Sequence, residues 1–339
     1  MHLIYEYLKD INQIEKGEKV FVWGNGKNGK HICDLLNKAN VEILGVIVSQ
    51  KDIDDTTYLL DEIDSEILAC TSMIITPLYF VRQITNQLCK YNCKRIYINL
   101  LTTMNDEYRL SGKSIEEIYR YADFFENGKE EWYSIMDLIT LRDFSRVMNF
   151  DCFRLERQYL EYGLLKKNDK VIDGGAYYFD ELDSFVRIIG PKGCVYAFDP
   201  QFKTNEENAA LKKYKCALGA RSGYMKFASL DGASSSLLLE ESSQFYEITE
   251  VTSIDDFCKK HQLNPDFIKL DVEGFEKEAL AGGVRTIRSC RPNMAIGIYH
   301  SFEEFFEIID YINSLKLGYR FSFAGYSNTY SESILYAYT

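Results

Sequence analysis

Two short apolar runs, each ending in aspartate and separated by about one helix of chain, constrain this sequence most. The first, from Val171 to Asp180, reads VIDGGAYYFD, and the second, from Val195 to Pro200, reads VYAFDP. A strand ending in Asp173, a glycine pair, and a second strand ending in Asp199 form the layout by which a doubly wound α/β sheet holds an adenosine-type ligand at its carboxyl edge. Gly174 and Gly175 let the backbone turn sharply and lie against a ligand that a side chain would push away. Asp199 can accept hydrogen bonds from two vicinal ribose hydroxyls, and loss of such an acceptor costs about 1–3 kcal/mol. Asp173, Gly174, Gly175, Ala176 and Tyr177 on the first run, and Asp199 and Pro200 on the second, are therefore the candidate nucleoside-binding residues.

Further along, DFIKLDVEGFEKEALAGG (Asp266 to Gly283) joins ALGARSGYMKF (Ala217 to Phe227), GASSSL (Gly232 to Leu237), VTSIDDF (Val251 to Phe257), RPNMAIGIYH (Arg291 to His300) and ESILYAY (Glu332 to Tyr338). With these motifs in this order, roughly residues 150 to 339 resemble the FkbM family of S-adenosylmethionine-dependent methyltransferases. That family's signature includes a strand ending in Lys-x-Asp-Val-Glu-Gly and running into a helix. The resemblance implies a Rossmann-like, seven-stranded methyltransferase sheet, S-adenosyl-L-methionine as cofactor, and transfer of methyl to a hydroxyl of a sugar or small hydroxylated metabolite. It places Asp271 beside the transferred methyl group and Ser235, within the serine run, at the cofactor or acceptor. In one respect the chain departs from the family: Phe179 stands where its first motif, Asp-x-Gly-Ala-x-x-Gly-Asp, has the last glycine. A ring there narrows the space beside the methionine part of the cofactor, and the alternative reading is a degenerate, non-catalytic cofactor-binding module.

Methyl transfer from a sulfonium requires acceptor oxygen, methyl carbon and sulfur in line, and such positioning is worth roughly 7–11 kcal/mol. A hydroxyl is a poor nucleophile at neutral pH, so a base should add roughly 10²–10⁴-fold. Of the four histidines, His2, His31, His261 and His300, only His300 falls at the carboxyl end of an expected central strand. Its ordinary pKa near 6.5 suits a proton acceptor. Asp271 and Glu273 compete for that role, although a carboxylate at a helix start can equally serve free backbone amides. Asp271 with His300 could begin a Mg²⁺ site, but two ligands fall short of the oxygen-rich shell that ion prefers, so no metal is expected.

Earlier in the chain, KVFVWGNGKNGKHICDLL (Lys19 to Leu36) gives an apolar strand, then Gly24, Gly26 and Gly29 at dinucleotide-fingerprint spacing, then a helix. Strands are expected at Ile43 to Val48, Met73 to Thr76 and Arg95 to Ile98, with a helix after Pro77. The ribose carboxylate due at the end of the second strand is missing, since Ser49 and Gln50 stand there. A non-catalytic module is the first reading of this region, and nucleotide or nucleotide-sugar binding the second.

From about 106 to 165 the pattern is helical. Ser114 and Glu117 make a capping box, and Tyr119, Phe124, Trp132 and Tyr133 form a packing stripe. The expected organisation is thus a smaller Rossmann-like α/β domain (1–105), a helical bridge (106–165) and the methyltransferase domain (166–339), in which a late hairpin, Tyr319 to Ala324 and Ser333 to Tyr338, forms an antiparallel edge. A chain of 339 residues with 46% hydrophobic side chains fills two cores. The net charge of −12 argues against nucleic acid as a partner, and no run approaches the roughly 18 apolar residues of a membrane span. Without an apolar leader in MHLIYEYLKD a cytoplasmic location is expected, where the nine irregularly spaced cysteines stay reduced.

Overall fold

The computed structural model of the chain describes residues 5–49, 57–76, 81–88, 90–101, 105–143, 157–176, 179–228, 236–238, 247–327 and 329–339. The chain divides into two compact units, Met1–Gly112 with Asp137–Met148, and Lys113–Met136 with Asn149–Thr339. Among the described residues no helix is long and apolar enough to cross a membrane.

The first unit runs β1 (Tyr5–Leu8), β2 (Lys19–Trp23), α1 (Lys27–Lys38), β3 (Glu42–Ile47), β4 (Thr57–Tyr58), α2 (Ser65–Cys70), β5 (Ser72–Ile75), α3 (Val81–Leu88), β6 (Arg95–Asn99) and α4 (Asn105–Ser111). Its sheet has the order β1-β6-β5-β2-β3-β4, and every pairing is parallel. The continuous apolar run Val20–Phe21–Val22–Trp23 is buried throughout, as a central parallel strand covered on both faces requires. Ile32 and Leu36, one turn apart on α1, complete a core with Val20, Val22, Ile74 and Tyr97. The edge strands β1 and β4 were not expected, because four- and two-residue strands carry too little periodicity to read.

The second unit contains α5 (Ile115–Arg120), β7 (Phe125–Asn127), α6 (Lys129–Leu141, reaching into the first unit), β8 (Lys170–Gly174), α7 (Phe179–Ile189), β9 (Cys194–Phe198), β10 (Glu206–Glu207), β11 (Leu211–Tyr214), β12 (Ala217–Leu218), β13 (Gly223–Ala228), β14 (Ser236–Leu238), β15 (Glu247–Thr252), α8 (Ile254–His261), β16 (Phe267–Leu270), α9 (Glu276–Ala281), α10 (Val284–Cys290), β17 (Asn293–Gly297), α11 (Glu304–Ser314), β18 (Arg320–Gly325) and β19 (Ser333–Tyr338). Its main sheet has the order β10-β11-β9-β8-β16-β17-β19-β18-β7. The order reverses at β8: β9 and β11 lie to one side, β16 and β17 to the other, all parallel. The carboxyl ends of β8, β9, β16 and β17 therefore open at a topological switch point, where open α/β sheets bind ligands.

Three details differ from the sequence reading. Among the described residues the sheet has nine strands, seven in methyltransferase-like order plus the short β10 and β7 at its edges. β7 falls in a stretch expected to be helical; it pairs with β18 because Phe125 packs on Trp132 and Phe323, at ring-centroid distances of 5.1 and 5.7 Å. The late hairpin is not an edge, since β19 inserts between β17 and β18 and all six of its residues are buried. Between Tyr214 and Ala217 the chain changes sheet: β11 ends at Tyr214, and Ala217 starts β12 in a separate four-stranded sheet, β12-β15-β13-β14. The capping box forms as expected, with the Glu117 amide donating to Ser114 Oγ at 3.2 Å and the Ser114 amide to Glu117 Oε2 at 2.7 Å. Within the expected packing stripe, Trp132 is fully buried and packs on Phe305 and Phe306, whereas Phe124 is 38% exposed.

Candidate active site

The chain leaves β8 through a turn that is tied down on three sides. The amides of Gly175 and Ala176 donate to the carbonyl of Phe198 at the end of β9, at 2.9 and 3.2 Å. Gly175 has φ +77°, and a Cβ there would lie 1.7 Å from the carbonyl oxygen of Asp271. Only glycine fits so close to the neighbouring strand end. Beneath the turn, Asp173 is wholly enclosed and faces Lys269, its register partner on β16, which is 1% exposed. Lys269 Nζ sits 3.2 Å from Asp173 Oδ1 and donates to the Gly175 carbonyl at 2.8 Å. Burial raises the Asp173 pKa against the pull of the Lys269 ammonium. Ala176 is buried in the same turn.

Asp199 follows β9 directly and is 4% exposed. Its Oδ1 accepts from the Gln201 amide at 2.6 Å, so the Asp199–Pro200 turn is closed by the carboxylate itself. Burial pushes this carboxyl up to about 6, against the opposing effects of that amide and of Lys269.

On the other flank of β8, Asp271 directly follows β16 and accepts from Tyr159 Oη at 2.6 Å and from Tyr299 Oη at 3.1 Å. The ring of His300, 7% exposed, lies among four carboxylates: Nε2 is 3.3 Å from Asp271 Oδ1 and 3.6 Å from Glu273 Oε2, and Nδ1 is 3.4 Å from Glu276 Oε1 and 3.5 Å from Glu304 Oε2. Neither ring nitrogen has a hydrogen-bond partner among the described residues. Burial opposes charge on this ring, but the carboxylates of Glu276, Glu304, Asp271 and Glu273 outweigh it and raise the pKa well above the ordinary histidine value. Burial also pushes Glu273 up to about 7 and Glu276 up to about 8.

The structure brings Asp271, Glu273 and His300 together as the sequence suggested, and it adds residues that the sequence reading passed over. Glu276 is fully buried and accepts from the Val272 amide at 2.6 Å and the Gly274 amide at 3.1 Å. The amide-satisfying role considered for Glu273 thus belongs to Glu276, while Glu273 itself is held at φ +56°. Glu304 accepts from the His300 amide at 3.0 Å, and its four-residue spacing from His300 was the available signal. Gln158 donates to Glu332 and to Tyr159 Oη. Tyr177, Ser235 and the side chain of Phe179 lie outside the described residues.

In the first unit, Gly24 and Gly29 meet where α1 leaves β2: a Cβ on Gly29 would stand 1.9 Å from the Gly24 carbonyl oxygen, while Gly26 faces open space. A cavity of about 530 Å³ is lined by Trp23, Val48, Ser49, Asp61, Lys90 and Tyr91 among others, and none of the three fingerprint glycines borders it.

Residues 168–321 match the family model of the methyltransferase FkbM domain. This part of the chain is a methyltransferase FkbM domain. The crystal structure of the methyltransferase FkbM from Methylobacillus flagellatus KT superposes with a TM-score of 0.61 at 16% identity, over 95% of this chain and 90% of that one, so the two share a fold. Aeropyrum pernix fibrillarin, solved with natively bound S-adenosyl-L-methionine, gives a TM-score of 0.32 at 14% identity, over 53% of this chain and 70% of that one. No curated protein matches the chain.

Proposed function

We propose that this methyltransferase uses S-adenosylmethionine to methylate a hydroxyl oxygen of a sugar or another small hydroxylated metabolite. The observation that carries this reading is the Gly174–Gly175 turn with Asp199 on one flank and Asp271 on the other, all at the carboxyl edge where the strand order reverses. Asp199 would accept hydrogen bonds from the ribose hydroxyls, and the side-chain-free turn would let the rest of the cofactor lie against the backbone. Lys269, joined to both Asp173 and the Gly175 carbonyl, sets the position of that turn.

Bound there, S-adenosylmethionine would supply an electrophilic methyl group on a sulfonium that leaves as a neutral thioether, and the residues of the site would hold the acceptor oxygen in line with it. The hydroxyl proton passes to a base. Glu273 fits this role by position: it stands on the loop after β16, its side chain is 26% exposed where Glu276 is fully buried, and its backbone is held in the left-handed region often found at functional sites. Asp271, fixed by two tyrosine hydroxyls, orients the acceptor.

Calorimetric titration with S-adenosylmethionine or S-adenosylhomocysteine tests the reading. Saturable binding supports it, and absence of heat at millimolar ligand removes it. Methyl transfer to a panel of sugars and nucleotide sugars then defines the acceptor.

A further inference from the structure

We propose that Asp271, Glu276 and His300 form a binding site for one first-row divalent cation of the Mn²⁺-to-Zn²⁺ series. These residues come from the end of β16, the start of α9 and the loop after β17, and each offers one ligand atom within 4.8 Å of the others. Two observations point to an ion. The first is His300, whose ring is 7% exposed yet has no hydrogen bond at either nitrogen among the described residues. A buried imidazole normally satisfies at least one nitrogen. The second is charge: four carboxylates converge on this single ring, Asp271 and Glu273 at 3.3 and 3.6 Å from Nε2 and Glu276 and Glu304 at 3.4 and 3.5 Å from Nδ1, too far for good hydrogen bonds.

The surroundings are those of a supported metal site. Tyr159 and Tyr299 fix the Asp271 carboxylate, and the Val272 and Gly274 amides fix that of Glu276, in the way outer hydrogen bonds orient metal ligands. Whichever ring nitrogen binds the ion, the other already has a carboxylate waiting, Glu304 at 3.5 Å from Nδ1 or Glu273 at 3.6 Å from Nε2. One imidazole nitrogen with two carboxylates suits Mn²⁺, Fe²⁺, Co²⁺ or Zn²⁺ better than Mg²⁺, which favours an all-oxygen shell and retained water. Three protein ligands leave coordination positions open. The cation site is independent of the methyl donor, so it is measured without S-adenosylmethionine, and its failure leaves the methyltransferase reading intact.

The test uses the full-length, chelator-stripped protein with Mn²⁺ as probe. We expect one Mn²⁺ per chain, electron-spin-echo modulation from an imidazole nitrogen, and retention of the ion against a tenfold excess of Mg²⁺. His300→Gln should abolish the nitrogen modulation and weaken binding at least a hundredfold, the upper end of the losses seen even for outer-shell changes. Should that variant not fold, replacing His2, His31 and His261 together with glutamine leaves His300 alone, and the modulation must persist. The proposal is overturned by absence of Mn²⁺ binding at millimolar concentration, by displacement with Mg²⁺, by bound Mn²⁺ without nitrogen modulation, by modulation that survives His300→Gln, or by its loss in the triple variant.

Discussion

Gly175→Ala isolates the close approach on which the glycine turn after β8 depends. An alanine at φ +77° costs about 1–2 kcal/mol of backbone strain. Its methyl would also stand 1.7 Å from the Asp271 carbonyl oxygen, a backbone atom that cannot rotate away, so the ends of β8 and β16 must part. Overpacking of that kind adds about 1–3 kcal/mol. Gly190→Ala is the matched control, since Gly190 has φ +69° with nothing within 4 Å of the point its new methyl would occupy, and should show strain alone. At about 2–4 °C per kcal/mol for a unit of 150–250 residues, Gly175→Ala should melt roughly 2–12 °C below Gly190→Ala. Near-UV circular dichroism follows the transition, and titration with S-adenosylhomocysteine shows whether the displaced turn still binds. Equal melting temperatures together with equal affinities would refute the reasoning.

Three further outcomes are expected. Lys269→Met strands the enclosed Asp173 carboxylate and should destabilise the second unit by about 3–5 kcal/mol in urea titration, with much of the loss recovered in Lys269→Met/Asp173→Leu. Asp199 is raised from 3.8 to about 6, so its contribution to stability, about 3 kcal/mol, is full below pH 3.8 and lost as pH rises through 6; binding needs the ionised form, so S-adenosylhomocysteine affinity should fall roughly tenfold per pH unit below 6, read by calorimetry from pH 5 to 8. Glu273→Gln should leave S-adenosylhomocysteine affinity unchanged while lowering turnover roughly 10²–10⁴-fold once an acceptor is identified, and an unaltered rate would move the base elsewhere.

The glycine-turn half of the candidate site was legible because its signals are local. An apolar strand, a glycine turn and a terminal aspartate lie within a few residues of one another, and Asp173 and Asp199 emerge at the strand ends as expected. The other half is assembled from a distance. Glu276 and Glu304 sit at the starts of α9 and α11, where glutamate is ordinary, and only the fold directs both onto His300. Tyr159 reaches Asp271 across 112 positions of sequence. Likewise β7 is a strand only because β18 lends it a partner, and β12 and β15 pair across 34 residues (217 to 251) that include a polar serine run. Pairings of that range leave no periodic trace in either segment alone.

The most direct measurement is a crystal structure with S-adenosylhomocysteine. We expect the ribose hydroxyls within about 2.6–3.2 Å of the Asp199 carboxylate and the thioether sulfur on the Asp271 side of the glycine turn. A nucleoside bound away from Asp199, or lodged instead in the first unit, would contradict the central claim.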